Sequence, residues 1–213
     1  QKDIPLDDKK TLRLFQRGDT TGVFQFESAG IRNVLRRLIP ETIEDVAAVN
    51  ALYRPGPMQN IDTFIKRKHG QEKINYLDSS LAPILENTYG VIVYQEQIMQ
   101  IASQMAGFTL GQADILRRAI SKKKKSVLDK QRRYFIAGAQ NKGFTQEKAN
   151  QIYDYIERFA DYGFNRSHAF AYSFVAFQMA YLKVHYPAPF YKALLRSVLH
   201  TPKKLKEYLS DAK

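Results

Sequence analysis

Apolar positions follow a helical period through the middle of the chain, most clearly between residues 109 and 133. They recur at steps of three, four and seven residues: Ala113, Leu116, Ile120 and Val127. This spacing places them on one face of a helix. Thr109 and Gln112 form a capping-box sequence, in which the hydroxyl accepts a backbone N–H and the amide reaches back. The pattern therefore predicts a helix that begins near Thr109, runs through Arg133 and continues to Asn141.

Other segments repeat the helical period. Their apolar stripes are Ile31, Val34, Leu35 and Leu38; Ile98, Ile101, Ala102 and Met105; Ala149, Ile152, Ile156 and Phe159; and Phe170, Phe174, Phe177 and Tyr181. We interpret the last, aromatic stripe as core rather than as a base-stacking platform. Residues 22–26 and 89–94 have the composition of short strands. The predicted fold class is mainly α, an irregular multi-helix domain with a few short strands.

The domain organisation follows from length and from the polar connections. A chain of 213 residues forms one large domain or two small ones. The polar segment 71–80 is the best candidate boundary, which suggests sub-lobes 1–75 and 76–205 within a single domain 1–213. The lysine-rich tail at 206–213 is predicted to fray. The first residue is Gln1 rather than Met, so we interpret the chain as a piece of a longer protein.

Amino-acid composition limits the classes of partner that the chain is expected to bind. The net charge of +12 and a pI near 9.7 favour a polyanion: nucleic acid, nucleotide phosphates or an acidic membrane surface. The absence of Cys excludes disulfides and thiolate metal sites and is consistent with a reducing compartment. The sequence contains neither an apolar run of about 18 residues, which a membrane span needs, nor a secretion leader. We therefore expect no membrane partner.

Most of the positive charge lies in the predicted central helix. Between Arg117 and Arg133 there are nine basic residues and one acid, a balance of 9 − 1 = +8. A charge run is usually a solvated helix face. Here, however, like charges repel along the helix with little acid to relieve them. An anion-binding role is therefore the favoured interpretation, and a solubilising edge remains open for Lys124 and Lys125.

Three further cationic groups are candidates for the same chemistry. Arg54 precedes the stiff Pro55-Gly56-Pro57 turn. Two interpretations of Arg54 are equally favoured: a phosphate ligand, or an ordinary solvated residue at a helix end. A second basic patch comprises Lys66, Arg67 and Lys68. Residues 165–168 (Asn-Arg-Ser-His) stand at the start of a predicted helix, where free N–H groups favour anions.

The sequence lacks a self-sufficient catalytic centre. It contains no GxxxxGK[ST], GxGxxG, HExxH or GxSxG motif. Two-metal phosphoryl transfer needs converging carboxylates, and the available acid pairs are Asp7 with Asp8 and Asp154 with Glu157. Neither pair follows a predicted strand. The cationic groups are therefore predicted to clamp phosphates without cleaving them.

Six collinear motifs carry a resemblance to a known family. They are TTGVFQFES, ALYRPGPM, IDTFIKRKHG, YGVIVYQEQIMQIA, LRRAISKKK and FADYGFNRSHAFAYSFVAFQMAYLKVHYP. Together they resemble the fingers domain of the C-family bacterial replicative DNA polymerases, the DNA polymerase III alpha subunits of the DnaE type. The match covers nearly the whole chain. The resemblance implies a largely helical domain that binds the triphosphate of the incoming dNTP and lies over the template–primer DNA.

The resemblance also assigns roles to residues. It implies nucleotide binding by Arg117, Arg118, Lys122, Arg54, Asn165 and His168. It implies DNA binding by Lys123, Lys124, Lys125, Lys66, Arg67, Lys68 and Arg166. Residue 166 is a position where many relatives have Lys, so the charge is kept. No catalytic or metal-binding residue is expected in the chain.

The motifs of the family's palm domain, which hold its catalytic aspartates, are missing. Mg²⁺ is therefore expected only through that palm, and the chain alone is expected to be inactive. The implied partners are template–primer DNA, dNTP and the other polymerase domains. The sliding clamp and clamp loader are expected to bind regions of the parent protein that are missing here. The implied location is the bacterial cytoplasm, at the nucleoid-associated replisome. The alternative is a non-enzymatic nucleic-acid-binding or docking module whose lysines only grip backbone phosphates.

Overall fold

The computed structural model describes residues 4–122, 125–160 and 163–213, with side chains except those of residues 121, 125 and 160. This part of the chain is mainly helical, which confirms the predicted fold class. Its α-helices are α1 Lys9–Arg17, α2 Ala29–Leu38, α3 Ile43–Leu52, α4 Ile61–Lys68, α5 Ala82–Leu85, α6 Gln95–Ala106, α7 Leu110–Lys122, α8 Lys125–Asn141, α9 Gln146–Ala160, α10 Arg166–His185, α11 Pro187–Ser197 and α12 Pro202–Asp211. Among these described residues, no helix is long and apolar enough to cross a membrane.

The chain divides into two compact units. The first unit comprises Gln1–Tyr53 and Ser167–Lys213, and the second unit comprises Arg54–Arg166. The boundary expected from the polar segment 71–80 thus falls inside the second unit. There the backbone carbonyl of Leu77 accepts a hydrogen bond from Lys148 Nζ at 2.6 Å, and Leu81 is buried. A segment that looks like a linker in sequence is therefore part of this unit's packing.

The core of the first unit is built around three phenylalanines. The ring of Phe15 on α1 meets Phe26 edge-on at 5.4 Å between centroids and stacks on Phe177 of α10 at 6.1 Å. All three side chains are fully buried. Aromatic pairs at these separations add to the stabilisation from burial alone.

The aromatic stripe of α10 is only partly core, in contrast to the prediction. Phe177 is buried, but Phe174 is 38% exposed. The buried face of α10 is instead mostly small: Ala169, Ser173, Ala176, Phe177, Ala180 and Lys183. Small side chains let a neighbouring element approach closely. The face of α10 that carries them is therefore the face that is buried.

Two predicted short strands are not strands in the structure. Residues 21–25 form turns, with positive φ at Gly22 and Gln25. The loop is closed by Thr20 Oγ1, which donates to the carbonyl of Phe26 at 2.6 Å. Residues 91–93 lack secondary structure, and Tyr94 makes an isolated parallel bridge with Phe164. The buried N–H groups of Val93 and Tyr94 donate to Gln97 Oε1 at 2.8 and 2.9 Å, so no neighbouring strand is needed.

The C-terminal residues are ordered, although the sequence predicted a frayed tail at 206–213. Helix α12 extends to Asp211, and Tyr208 is buried with its hydroxyl donating to Glu27 at 2.6 Å. Asp211 also accepts from Lys183 Nζ at 2.7 Å. These long-range contacts fix the tail, and sequence periodicity does not reveal them.

Lys183 is expected to be a major stabilising residue of the first unit. Its buried ammonium donates to the carbonyls of Asp19 and Thr21 and to Asp211. We expect Lys183→Ala to lower the free energy of unfolding by about 2 kcal/mol, because acceptors of a charged donor lose their partner. Chemical denaturation of the purified chain measures this change. Lys192→Ala, at an exposed position on α11, is the matched control and should change stability little; equal effects of both substitutions would contradict the prediction.

The second unit surrounds one apolar cluster to which α6, α7, α8 and α9 all contribute. Its fully buried members include Ile98, Leu116, Phe135, Ile152 and Tyr153. Phe135 lies at the centre, with ring centroids 6.1 Å from Phe108 and 5.5 Å from Tyr153.

The basic segment forms two helices that pack together, so the prediction of one helix from Thr109 through Arg133 was wrong. Gln112 and Ile115 line the same small cavity as Gln131 and Tyr134. In a straight helix these pairs would be nearly 30 Å apart, at about 1.5 Å per residue. The predicted capping box is confirmed, since Thr109 N–H donates to Gln112 Oε1 at 2.9 Å and Gln112 N–H to Thr109 Oγ1 at 3.3 Å.

Candidate anion-binding site

Arg117 and Arg118 on α7, hereafter the arginine pair, meet at one carboxylate. Arg117 donates to Asp114 Oδ1 through Nε at 2.9 Å and through Nη2 at 2.6 Å. Arg118 Nη2 lies 2.5 Å from Asp114 Oδ2. Each oxygen of Asp114 therefore faces one guanidinium, and the three side chains form a local group with net charge +1.

The arginine pair also stabilises the ionised form of this carboxylate. Hydrogen bonds from Arg117 and then Arg118 lower the pKa of Asp114 below its ordinary value. The carboxylate, which an ordinary aspartate pKa already leaves ionised at neutral pH, therefore stays ionised further into the acid range. The two arginines differ in exposure, because 25% of the Arg117 side chain is exposed against 64% of Arg118. Arg117 is thus the anchored member and Arg118 the more solvated one.

Gln95 connects the arginine pair to the start of α6. Arg117 Nη1 donates to Gln95 Oε1 at 3.2 Å. The backbone N–H of Gln95 in turn donates to the carbonyl of Phe164 at 2.9 Å, and Phe164 N–H donates to Val93 at 2.9 Å. Arg117 is therefore held at a junction of α7, the N-terminus of α6 and the segment that precedes α10.

Arg54 lies at the same junction. Its guanidinium carbon stands 4.7 Å from the ring centroid of Phe164, a cation–π contact. Burial lowers the pKa of this guanidinium, which still remains charged at neutral pH. The Pro-Gly-Pro turn after Arg54 is rigid, with Pro57 buried and Gly56 at φ +97°. The structure thus places Arg54 against an aromatic ring rather than leaving it as a freely solvated side chain.

Arg166 approaches the junction from the other end of the sequence. Its backbone N–H donates to Glu96 Oε2 at 3.0 Å, and its guanidinium stands 5.9 Å from the ring centroid of Tyr94. Asn165 is exposed between Phe164 and Arg166. The stretches around residues 117 and 165 therefore contact residues 94–96 directly, and Arg54 joins them through the ring of Phe164.

The remaining sequence-predicted residues of this region are His168, Lys122 and the three lysines that follow it. His168 belongs to the first unit, where its exposed ring contacts Tyr172 with 4.2 Å between centroids. Lys122 is exposed in the last turn of α7. Lys123 and Lys124 lie outside the described residues, and for Lys125 only the backbone is described, as the first residue of α8.

The second basic patch is less uniform than its sequence suggests. Lys66 is exposed, and Lys68 stands 6.0 Å from the ring centroid of Tyr89. Arg67 is half-buried, with Nε donating to Glu72 at 2.9 Å and Nη1 to the carbonyl of Tyr89 at 3.4 Å. Internal contacts therefore occupy part of Arg67.

Some of the charge in the basic segment is also neutralised internally. Arg132 Nη2 donates to Asp154 at 2.6 Å and to Glu157 at 2.8 Å, and its guanidinium stands 4.6 Å from the ring centroid of Tyr153. The acid pair considered as a possible metal site thus binds an arginine. Within the ranges that the structure describes, no group of three His, Cys, Asp or Glu residues could hold a metal ion.

Sequence reasoning missed four residues that organise the site: Gln95, Glu96, Asp114 and Phe164. Only Asp114 had a local signal, because it stands three and four residues before the arginine pair on one helix. Gln95 and Glu96 are half-buried, although polar residues at the start of a helix commonly face solvent. Their contacts with Arg117 and with residues 164–166 depend on tertiary structure.

Comparison with known proteins gives a consistent result across the chain. The sequence profile described as "Bacterial DNA polymerase III alpha subunit finger domain" matches residues 1–143. Relatives named DNA polymerase III subunit alpha are 58% identical over 210 residues in Bacillus subtilis (strain 168) and 58% over 212 residues in Halalkalibacterium halodurans. A relative of that name from Staphylococcus epidermidis is 55% identical over 210 residues. These matches cover 99–100% of this chain but only 19–20% of each relative, so the chain spans about a fifth of their length.

Proposed function

Because the chain belongs to the bacterial DNA polymerase III alpha subunit finger domain family, we propose that it is the fingers domain of a replicative DNA-directed DNA polymerase and that the arginine pair binds the triphosphate of the incoming dNTP. One observation carries this proposal: the two guanidiniums already converge on an anion, the carboxylate of Asp114. Paired planar guanidiniums in a fixed arrangement suit a triphosphate, whose many oxygens accept pairs of N–H hydrogen bonds.

The neighbouring groups extend the same surface. Arg54 contacts Phe164 and Arg166 contacts Tyr94, and both of these aromatic residues adjoin Gln95, which binds Arg117. Lys122 follows on α7 and remains exposed. We assign Arg54, Asn165 and Lys122 with the arginine pair to the nucleotide. The DNA backbone is assigned to the other cationic residues, where each phosphate contact steepens the dependence of affinity on salt: Lys123, Lys124, Lys125, Lys66, Arg67, Lys68 and Arg166. His168 is kept as a nucleotide ligand on the family resemblance alone.

The chemical role of these groups is electrostatic. Fixed N–H donors aimed at phosphate oxygens stabilise the charge that develops as pyrophosphate leaves, without reorganising during the reaction. When bound, Mg²⁺ would supply Lewis-acid stabilisation of the phosphate charge. The described residues contain no cluster of three or more His, Cys, Asp or Glu side chains that could hold a metal ion. Because the motifs of the family's palm domain are missing from this sequence, we assign Mg²⁺ to the remainder of the parent protein and expect the isolated chain not to polymerise.

The test is Arg117→Ala in the full-length polymerase. We expect the apparent KM to rise for all four dNTPs and kcat/KM to fall about a hundredfold, the scale seen when one preorganised donor is removed. The rise should not depend on the base, because phosphates are common to all four nucleotides. Steady-state primer extension with each dNTP in turn measures it.

Arg13→Ala is the matched control, since Arg13 is exposed on α1 in the first unit; it should leave the KM for dNTP unchanged. Unchanged KM values in Arg117→Ala would remove the nucleotide assignment. If such a variant instead lost only salt-dependent affinity for DNA, the chain would be better described as a module that grips the DNA backbone.

A further inference from the structure

The arginine pair has a geometric problem that follows from helix geometry. Consecutive residues of an α-helix project about 100° apart, so the side chains of residues 117 and 118 leave α7 in different directions. Neighbours at i and i+1 do not face each other. Two guanidiniums also repel each other. Without a group that binds both guanidiniums, the arginine pair would therefore spread rather than form one binding surface.

Asp114 lies where it corrects this divergence. It precedes Arg117 by three residues and Arg118 by four, so it is one turn closer to the start of α7 and lies between them around the helix axis. Long helical side chains lean toward the N-terminus of their helix. Both arginines consequently reach back over the same turn, where each binds a different oxygen of the carboxylate.

We propose that Asp114 is a positioning residue, which draws the arginine pair together into one preorganised phosphate site. This inference rests on the proposed function, because it concerns the same arginines. Gln95 completes the arrangement by holding Arg117 Nη1 from α6 at 3.2 Å, so that Arg117 is fixed by two helices and Arg118 by Asp114. In this arrangement the carboxylate lowers the conformational cost of nucleotide binding.

The test uses the full-length polymerase with Asp114→Ala and Asp114→Glu. Without the carboxylate the arginine side chains are mobile, and immobilising them when the nucleotide binds costs free energy. We therefore expect Asp114→Ala to raise the KM for all four dNTPs about fivefold to tenfold, with a smaller change in kcat. Asp114→Glu should restore a KM near that of the unsubstituted enzyme, because glutamate also pairs with arginine at these helical spacings. Single-nucleotide extension kinetics give both parameters.

Several outcomes separate this proposal from others. A variant that merely loses structure lowers the concentration of active enzyme, which reduces kcat and leaves KM unchanged; that result would overturn the positioning role. A lower KM in Asp114→Ala would also overturn it, because the carboxylate would then be a competitor of the nucleotide. Glu147→Ala, at an exposed acid of α9, is the control for general loss of negative charge and should match the unsubstituted enzyme.

The failure of this inference is distinguishable from the failure of the proposed function. If Arg117→Ala raises KM and Asp114→Ala does not, the nucleotide site stands and the positioning role falls. If neither substitution changes KM, the nucleotide assignment itself is wrong.

Discussion

A Gly138→Ala substitution is expected to lower the free energy of unfolding of the second unit by about 3 kcal/mol, the upper end of what overpacking costs. Gly138 lies on α8 where that helix crosses α6. A Cβ atom at this position would stand 2.1 Å from the carbonyl oxygen of Ala106 and 3.0 Å from its carbonyl carbon. Both are backbone atoms, so the clash cannot be relieved by rotating a side chain and the two helices must separate.

The sign of this effect is opposite to the usual one. Within a helix, alanine is normally more favourable than glycine by about 1 kcal/mol. Gly111 on α7 provides the matched control, because a Cβ there meets nothing within 4 Å. Gly111→Ala should therefore stabilise the chain modestly while Gly138→Ala destabilises it. Urea denaturation of both variants measures the two changes, and stabilisation by both would show that α6 and α8 are not this close.

Gly138 is also an example of a feature that could not be predicted from the sequence. Local features were predicted correctly: the Thr109–Gln112 capping box is formed in the structure, because it needs only residues three apart. A close helix crossing depends on how α6 and α8 meet, which no local pattern encodes. The same limit explains α10, where the covered face is the alanine side rather than the aromatic stripe.

The candidate site could likewise be predicted only in part from the sequence. Charge density and the family resemblance pointed to the arginine pair, Arg54 and residues 165–166. Their convergence on residues 94–96 could not be predicted, because Gln95 and Phe164 are 69 residues apart and meet through backbone hydrogen bonds. The net charge of a segment also did not show which of its basic residues are available to bind an anion. Arg132 belongs to the densest basic stretch, yet it binds Asp154 and Glu157 within the unit.

The largest functional effect is expected from removing the arginine pair in the full-length polymerase. We expect Arg117→Ala with Arg118→Ala to lower kcat/KM for every dNTP about a thousandfold, because the site loses both preorganised donors at once. The loss should not equal the sum of the two single effects in free energy, since residues that share one partner are coupled. Measuring the two single variants and the double variant under the same conditions completes the cycle.

Asp114 gives this cycle a second, sharper test. With the arginine pair present, the carboxylate positions the guanidiniums, and Asp114→Ala should reduce kcat/KM. Without the pair, the same carboxylate is an unpaired negative charge facing a triphosphate, and like charges repel. Adding Asp114→Ala to the double variant should therefore raise kcat/KM about twofold to threefold, a reversal of sign that simple loss of structure cannot produce. A further decrease in the triple variant would mean that Asp114 supports the fold of α7 rather than the geometry of its arginines.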